Sequence, residues 1–302
     1  EFPAGHEGET LIVIARFYHS EGVTDTEAHS EIRNAIQAAA QELGESNLRV
    51  AVSSVQIAAD DRTRAERLGK QYDASIVIWG ADTGARVTVN FFNLKHPDFD
   101  AAQTQITETQ RTQIANPSAY ASFVTRDLPD ELTFLSLFAM GQSYFVSADY
   151  TRSIRVVEKA IVSGPSGATS LEGLGDAYFR LAWLYQALNE NRNAIQNYDR
   201  AIELKPQQAV SYHNRGTAHY NLDEFDAAFQ DCNRAIELDP QFASAYHGRG
   251  LALDHLGDLS GAMRDFDRAI ELDPNFAIAY LSRGAGHHRQ HDLDAAIKDY
   301  DR

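Results

Sequence analysis

This sequence of 302 residues has one cysteine, a deficit of basic residues and no long hydrophobic run. Cys232 alone can form neither an intrachain disulfide nor a CxxC metal or redox motif, and it leaves the cellular compartment open. No apolar run approaches the roughly 20 residues that span a bilayer, so we predict no direct membrane contact. With 27 basic and 43 acidic residues, the net charge of −16 repels phosphate backbones and argues against nucleic acid as a partner.

Short catalytic motifs are also missing. The sequence contains no GxxxxGK[ST] loop, GxSxG elbow, HExxH pair or GxGxxG turn. We therefore predict a protein that is not an enzyme and that needs no cofactor. A hidden enzyme in the amino-terminal part is a minor alternative, since its strand ends offer only the scattered groups His19, Asp60 and Asp82.

A repeat of 34 residues organises the carboxyl-terminal part. RAIELKP begins at Arg200, and RAIELDP begins at Arg234 and again at Arg268. This is the period of a two-helix unit. We place repeats at 175–208, 209–242 and 243–276, a partial repeat at 277–302, a degenerate one at 134–167 and a loop at 168–174.

Each unit carries small residues where two helices must approach, and most carry a proline after the second helix. The first helices hold Ala182, Gly216, Gly250 and Gly284, the second helices hold Ala194, Ala228, Ala262 and Ala296, and the prolines are Pro206, Pro240 and Pro274. This pattern is that of the tetratricopeptide family, and residues 134–302 are identified as such repeats. The resemblance implies an all-α superhelix, an α-solenoid, whose first helices line a concave groove that binds proteins or peptides.

The amino-terminal part alternates between strand and helix patterns. Apolar strand patterns at 11–17, 48–55, 74–80 and 86–92 are separated by helical patterns before the second and third strands. The order β-α-β-α-β-β predicts a small mixed sheet with helices, an α/β domain over 1–115. We expect an edge strand at 104–114 and a connecting helix or linker at 116–133, with Pro129 at the boundary of the array.

The segment LGKQYDASIVIWG, followed by RVTVNFF, resembles the small α/β domain at the amino end of TolB-like proteins. That resemblance implies a binding or docking module and supplies no catalytic residue.

Candidate partner-binding residues follow from repeat position in the first helices. They are His213, Thr217, Tyr220, Asn221, His247, Leu251, Asp254, His255, Leu281, Ala285, His288 and Arg289. His287 and His291 have the i, i+4 spacing of a metal-binding pair, but no cysteine or carboxylate partner accompanies them, so we predict no metal site. Arg215, Arg249 and Arg283 recur beside the small residue. We interpret them as partners of acids on neighbouring helices rather than as a ladder for an acidic ligand.

The sequence thus predicts a non-enzymatic interaction scaffold whose groove binds a peptide or helix of a partner protein. The alternative is a sensory or regulatory module, in which the α/β domain binds a small ligand and the repeats relay the change. The oligomeric state stays open.

Overall fold

The computed structural model describes residues 3–4, 10–19, 28–44, 48–58, 60–82, 87–93, 128–163 and 174–302. The chain divides into two compact units, Glu1–Ala177 and Tyr178–Arg302. Three predictions from the sequence lie wholly or mostly outside the described residues: the edge strand at 104–114, the connecting helix or linker at 116–133, and the loop at 168–174.

The first unit contains the predicted mixed sheet. Its strands are β1 (Thr10–His19), β2 (Leu48–Ile57), β3 (Ile76–Asp82) and β4 (Val87–Asn93), in the spatial order β2-β1-β3-β4. β1 is parallel to both β2 and β3, whereas β4 is antiparallel to β3. Helices α1 (Ala28–Leu43) and α2 (Arg62–Gln71) precede β2 and β3, so the predicted order β-α-β-α-β-β is confirmed.

β1 is one of the two inner strands of the sheet, which explains the apolar run at its start. Its residues Leu11 to Ala15 are all fully buried. Leu11 and Val13 belong to the core cluster that includes Leu68 of α2, while the alternate residues point to the opposite face. The side chain of Asp61 caps α2 by accepting a hydrogen bond from the Arg64 amide at 3.0 Å.

A helical hairpin completes the first unit. Helices α3 (Leu128–Val146) and α4 (Tyr150–Ser163) pack on each other, and α3 also packs on α1. An ion pair between Lys159 of α4 and Glu42 of α1 adds to this contact. The degenerate repeat therefore lies in the same compact unit as the sheet.

Helix α3 starts earlier than the repeat frame suggests. Residues 128–133, which we assigned to the connecting segment, form its first turns. Pro129 does not end the preceding segment there but lies at the second helical position. A proline is tolerated in the first turn because the amide it lacks would have no intrahelical partner.

The second unit is a regular array of helical hairpins. Its pairs are α5 (Leu174–Ala187) with α6 (Asn191–Leu204), α7 (Ala209–Tyr220) with α8 (Phe225–Leu238), α9 (Ala243–His255) with α10 (Leu259–Leu272), and α11 (Ala277–Arg289) with α12 (Leu293–Tyr300). Each predicted repeat holds one pair. An α/β domain followed by an all-helical array is thus confirmed.

The small residues lie at close helix crossings. A Cβ added at Gly250 would lie 2.6 Å from Cε1 of the buried Phe266, and one added at Gly141 would lie 2.5 Å from Cγ2 of Val157. In the hairpins that have glycine here, the two helices can approach this closely because the position has no side chain, and α5 has the next smallest residue, Ala182.

The turns inside the hairpins share one backbone feature. The fifteenth position of each repeat frame has a positive φ, from 59° to 91°, and is held by Ala148, Asn189, Asp223, Gly257 and His291. Positive φ is uncommon for residues other than glycine and reverses the chain direction after a helix. Its presence at Ala148 shows that the hairpin α3–α4 follows the same frame as the regular ones.

Candidate partner-binding surface

The first helices of the array, α7, α9 and α11, carry the predicted binding residues. Each packs on the second helix of its own hairpin and on the second helix of the preceding hairpin. The remaining side of these helices is the candidate surface, which we call the first-helix surface. It comprises Thr217, Tyr220, Asn221, Leu251, Asp254, His255, Ala285, His288 and Arg289.

An aromatic cluster joins α7 to α9 on this surface. The hydroxyl oxygen of Tyr220 lies 2.9 Å from Nε2 of His255. The ring of Phe225, at the start of α8, stacks on His255 with centroids 4.3 Å apart and meets Tyr220 edge-on at 5.5 Å. Because His255 is exposed and Tyr220 is half-buried, the cluster presents a fixed aromatic surface to the solvent.

A charged pair joins α9 to α11 in the same way. Asp254 accepts a hydrogen bond from Arg289, 35 residues further along the chain. The separation from Tyr220 to His255 is also 35 residues, so both contacts link equivalent positions of neighbouring first helices. The Arg289 side chain is 47% exposed, and its guanidinium retains donors beyond the one that Asp254 accepts.

Partial burial raises the pKa of Tyr220, with the negative charges of Asp254 and Asp223 as further causes. The Tyr220 hydroxyl is therefore neutral over the physiological range. It can donate one hydrogen bond and accept another.

Two predicted binding residues lie between hairpins instead. His247 is 7% exposed, its Nε2 lies 2.9 Å from the Ser282 hydroxyl, and its ring packs edge-on against Phe276. His213 makes the equivalent edge-on contact with Phe242 at 5.0 Å. Burial lowers the pKa of each histidine to about 4. Both are therefore neutral packing residues, and the structure does not place them on the first-helix surface.

The other predicted residues have local roles or face the solvent. Thr217 donates to the carbonyl of His213 at 3.1 Å, and Asn221 donates to Oδ1 of the buried Asn191 at 3.2 Å. The latter bond ties the end of α7 to the start of α6. Leu251 is half-buried, whereas Ala285, His288 and Leu281 are exposed.

The recurring arginines pair with acidic residues, as we interpreted them. Arg215 donates to both carboxylate oxygens of Asp231, at 2.8 and 2.6 Å, and to Asp199 of the preceding hairpin at 2.6 Å. Arg283 pairs in the same way with Asp299 and Asp267, and Arg249 pairs with Asp265 and Asn233. Each arginine is 21% exposed. We call these contacts the arginine bridges, and they serve the fold rather than a ligand.

Phe225 is the residue of this surface that sequence reasoning missed. It starts the second helix of its hairpin. The sequence does contain a pattern that marks this position, because the residues 34 and 68 positions later, Leu259 and Leu293, are also large and apolar. Within the described ranges, no three His, Cys, Asp or Glu side chains lie together as a metal site would require. No described helix is long and apolar enough to span a membrane.

Comparison with known families confirms the repeats. Family models described as tetratricopeptide repeat match residues 209–242, 243–276 and 138–181, and a TPR repeat model matches residues 184–223. The match at 138–181 overlaps the hairpin α3–α4. No curated protein matches the sequence, and the resemblance of the sheet domain to TolB-like proteins stays a prediction.

Solved structures with similar helical arrays include MamA, at 25% identity over 54% of this chain and 91% of that one, with a TM-score of 0.48. YrrB, described as a TPR protein with an unusual peptide-binding site, is 19% identical over 55% and 82% of the two chains, with a TM-score of 0.45. The first TPR of Spaghetti (RPAP3), bound to an HSP90 peptide, is 26% identical over 41% and 99%, with a TM-score of 0.39.

Proposed function

We propose that this chain, with its tetratricopeptide repeats, is a non-enzymatic interaction scaffold whose first-helix surface binds a peptide or helix of a partner protein. The observation that carries the proposal is the pair of contacts linking neighbouring first helices, Tyr220 with His255 and Asp254 with Arg289. They fix partly exposed side chains in place along three successive hairpins.

Such fixed side chains suit binding for an entropic reason. Ordering a flexible side chain at an interface costs roughly 0.5–1.5 kcal/mol, and residues already held by neighbours avoid most of this. Tyrosine and arginine are also the residue types that most often dominate binding energy at protein interfaces. Tyr220 and Arg289 meet both conditions.

The chemistry of the surface defines the partner we expect. The stacked rings of Phe225 and His255 offer an apolar face for an aliphatic or aromatic anchor. The remaining donors of Arg289 suit a carboxylate. We therefore expect a segment that presents one apolar anchor and one acidic side chain, and the net charge of −16 supports a protein rather than a nucleic acid.

A capture experiment with matched variants tests the proposal. The chain and a variant with Tyr220→Ala, His255→Ala and Arg289→Ala are used to capture partners from lysate, and the affinity of a captured partner is then measured with purified proteins. We expect the variant to weaken binding at least 10-fold, equivalent to about 1.4 kcal/mol.

The matched control changes three exposed residues of the second helices, Arg192→Ala, Gln230→Ala and Arg264→Ala. Circular dichroism and thermal unfolding establish that all proteins are equally folded. Equal affinity of the partner for all three proteins would rule out the first-helix surface as its binding site.

The ligand-binding alternative for the sheet domain stays a prediction. Ligands of open α/β sheets bind beyond the carboxyl ends of the strands where the strand order reverses, which here is between β1 and β3. The segments that follow these two strands, residues 20–27 and 83–86, lie outside the described part of the chain.

A further inference from the structure

The two contacts that link the first helices lie on opposite sides of α9. They are made by consecutive residues of this helix, Asp254 and His255. His255 contacts Tyr220 of α7. Asp254 accepts a hydrogen bond from Arg289 of α11. The aromatic cluster and the charged pair are therefore separated by about one helix-to-helix distance, which is about 8–10 Å for packed helices.

This separation distinguishes between the regular backbones that a partner can have. On one face of a β-strand, side chains lie about 7 Å apart, or about 13 Å apart when four positions separate them. On one face of an α-helix, residues four apart are separated by about 6 Å along the axis, and residues seven apart by about 10.5 Å. The separation therefore fits best two side chains of a helix that are seven residues apart.

The hydrogen bonds of the first-helix surface favour a helix for a second reason. Thr217 uses its only donor on the carbonyl of His213, and Asn221 donates to Asn191. Gln186 of α5 likewise donates to a backbone carbonyl of α7. These neutral side chains are engaged within the array. An extended peptide needs partners for its backbone amides and carbonyls, whereas a helix pairs most of them internally.

We propose that the partner segment is an α-helix that carries an apolar anchor and a carboxylate seven residues apart on one face. The anchor packs on the rings of Phe225 and His255, and the carboxylate pairs with Arg289. This inference rests on the proposed function. It adds the conformation of the partner segment and the spacing of the two side chains that make the contacts.

Arg289 can hold this carboxylate while it keeps its contact with Asp254. Its side chain is 47% exposed, and a guanidinium has five donors. The array already contains an arginine that holds two acidic residues, since Arg215 donates to Asp231 and to Asp199. The carboxylate of the partner would complete the same arrangement on the first-helix surface.

The test uses two stapled helical peptides of the same composition, built of alanine and glutamine around a central phenylalanine. The seven-spaced peptide has a glutamate seven residues to either side of the phenylalanine, so that it fits in both directions. The four-spaced peptide has its glutamates four residues to either side. The staples are needed because short helices are marginally stable in water. Fluorescence anisotropy with the full chain should show binding of the seven-spaced peptide that is tighter by at least about 10-fold, because only this peptide reaches Arg289.

Variants of the protein assign the two contacts. Arg289→Ala should lower the affinity of the seven-spaced peptide to that of the four-spaced peptide, and it should leave the four-spaced peptide unchanged. Tyr220→Ala disrupts the aromatic cluster and should weaken both peptides. Arg264→Ala, at an exposed residue of a second helix, is the matched control and should change neither affinity. Circular dichroism establishes that all variants are equally folded.

A third peptide tests the helical conformation of the partner. It has the seven-spaced sequence without the staple, and prolines between the phenylalanine and each glutamate prevent it from forming a helix. We expect its binding to be weaker than that of the seven-spaced peptide by at least about 10-fold. Equal or tighter binding would show that the surface takes an extended segment and would overturn the inference.

The remaining outcomes separate this inference from the proposed function. Equal affinities of the two helical peptides would overturn the spacing, and if Tyr220→Ala weakened both, the first-helix surface would still be a binding site. Lack of saturable binding by either peptide would overturn the inference, whereas the capture experiment decides the proposed function independently. A dimer in sedimentation equilibrium that Tyr220→Ala dissociates would also overturn it, by assigning the surface to a second copy of this chain.

Discussion

The hairpins α3–α4 and α9–α10 share one backbone frame, but the side chains at equivalent positions differ in polarity. At three equivalent positions, the first has Phe138, Met140 and Val156, and the second has His247, Arg249 and Asp265. Phe138, Met140 and Val156 are at most 2% exposed, and His247 and Asp265 are at most 7% exposed. The same approach of two helices is therefore compatible with an apolar interior and with an ionic one.

The neighbours of each hairpin explain the difference. Helix α3 packs on α1 of the sheet domain, whose adjacent face is apolar. The regular hairpins pack on copies of themselves, where each arginine bridge joins two consecutive hairpins. Apolar contacts tolerate sliding, whereas an arginine that is held by a bidentate pair in its own hairpin reaches its single acceptor in the preceding hairpin in one alignment only. We infer that the bridges fix the alignment of successive repeats.

Breaking one arginine bridge has the largest expected effect. Arg249→Met leaves the buried carboxylate of Asp265 without its cation, which should lower the free energy of unfolding by about 4 kcal/mol. Adding Asp265→Val recreates the apolar arrangement of α3–α4 and should recover most of the lost stability. Urea unfolding followed by fluorescence of Trp183, in a Trp79→Phe background, reports on the second unit.

Arg200→Ala is the matched control, because its pair with Glu203 is exposed and its loss should leave the transition unchanged. If the double variant were no more stable than Arg249→Met, the apolar and ionic interiors would not be interchangeable.

The buried histidines predict a pH dependence of the second unit. Their folded pKa of about 4 lies below the unfolded value of about 6.5. The unfolded chain therefore binds protons first as the pH falls, and stability is lost between about pH 6.5 and pH 4. At pH 5 the loss is about 2 kcal/mol for each histidine.

His247→Phe introduces the residue type that α3–α4 has at this position. This substitution should remove about half of the histidine-dependent loss of unfolding free energy between pH 7 and pH 5. Urea unfolding followed by Trp183 fluorescence measures it. An unchanged pH dependence would mean that folding does not lower the pKa of His247.

The smallest expected effect concerns the hairpin α3–α4 itself. Buried Ser153 donates a 2.7 Å hydrogen bond to the carbonyl of Gly141, at a position that is alanine in every regular repeat. Ser153→Ala should destabilise the first unit by about 1 kcal/mol. Trp79 fluorescence in a Trp183→Phe background measures it, with exposed Thr151→Ala as control. A gain in stability would show that alanine suits this position in both kinds of hairpin.

Periodicity in the sequence predicted the parts of the structure that repeat. The 34-residue spacing placed the small residues, the helix pairs and the arginines, because each must satisfy the same contact in every hairpin. It also placed Tyr220, Asp254, His255 and Arg289 on one surface of the first helices.

The remaining features depend on contacts that no period reveals. His213 and His247 were placed in the groove by position, but their inward orientation depends on Phe242 and Phe276, each of which begins the approach to the next hairpin. The packing of α3 on α1 joins segments that lie about 100 residues apart in the sequence. A helix pattern shows that a face is apolar but not which neighbour covers it.

The arginine bridges have a consequence for how such a gene can change. Each arginine lies 16 residues after its acceptor in the preceding hairpin and 16 residues before its acceptor in its own. Copying or deleting a complete block of 34 codons preserves every spacing, whereas inserting one codon between an arginine and one of its acceptors changes the spacing of that pair. The array can therefore lengthen by duplication of whole repeats, or shorten by their deletion, and its ionic contacts stay satisfied at every step.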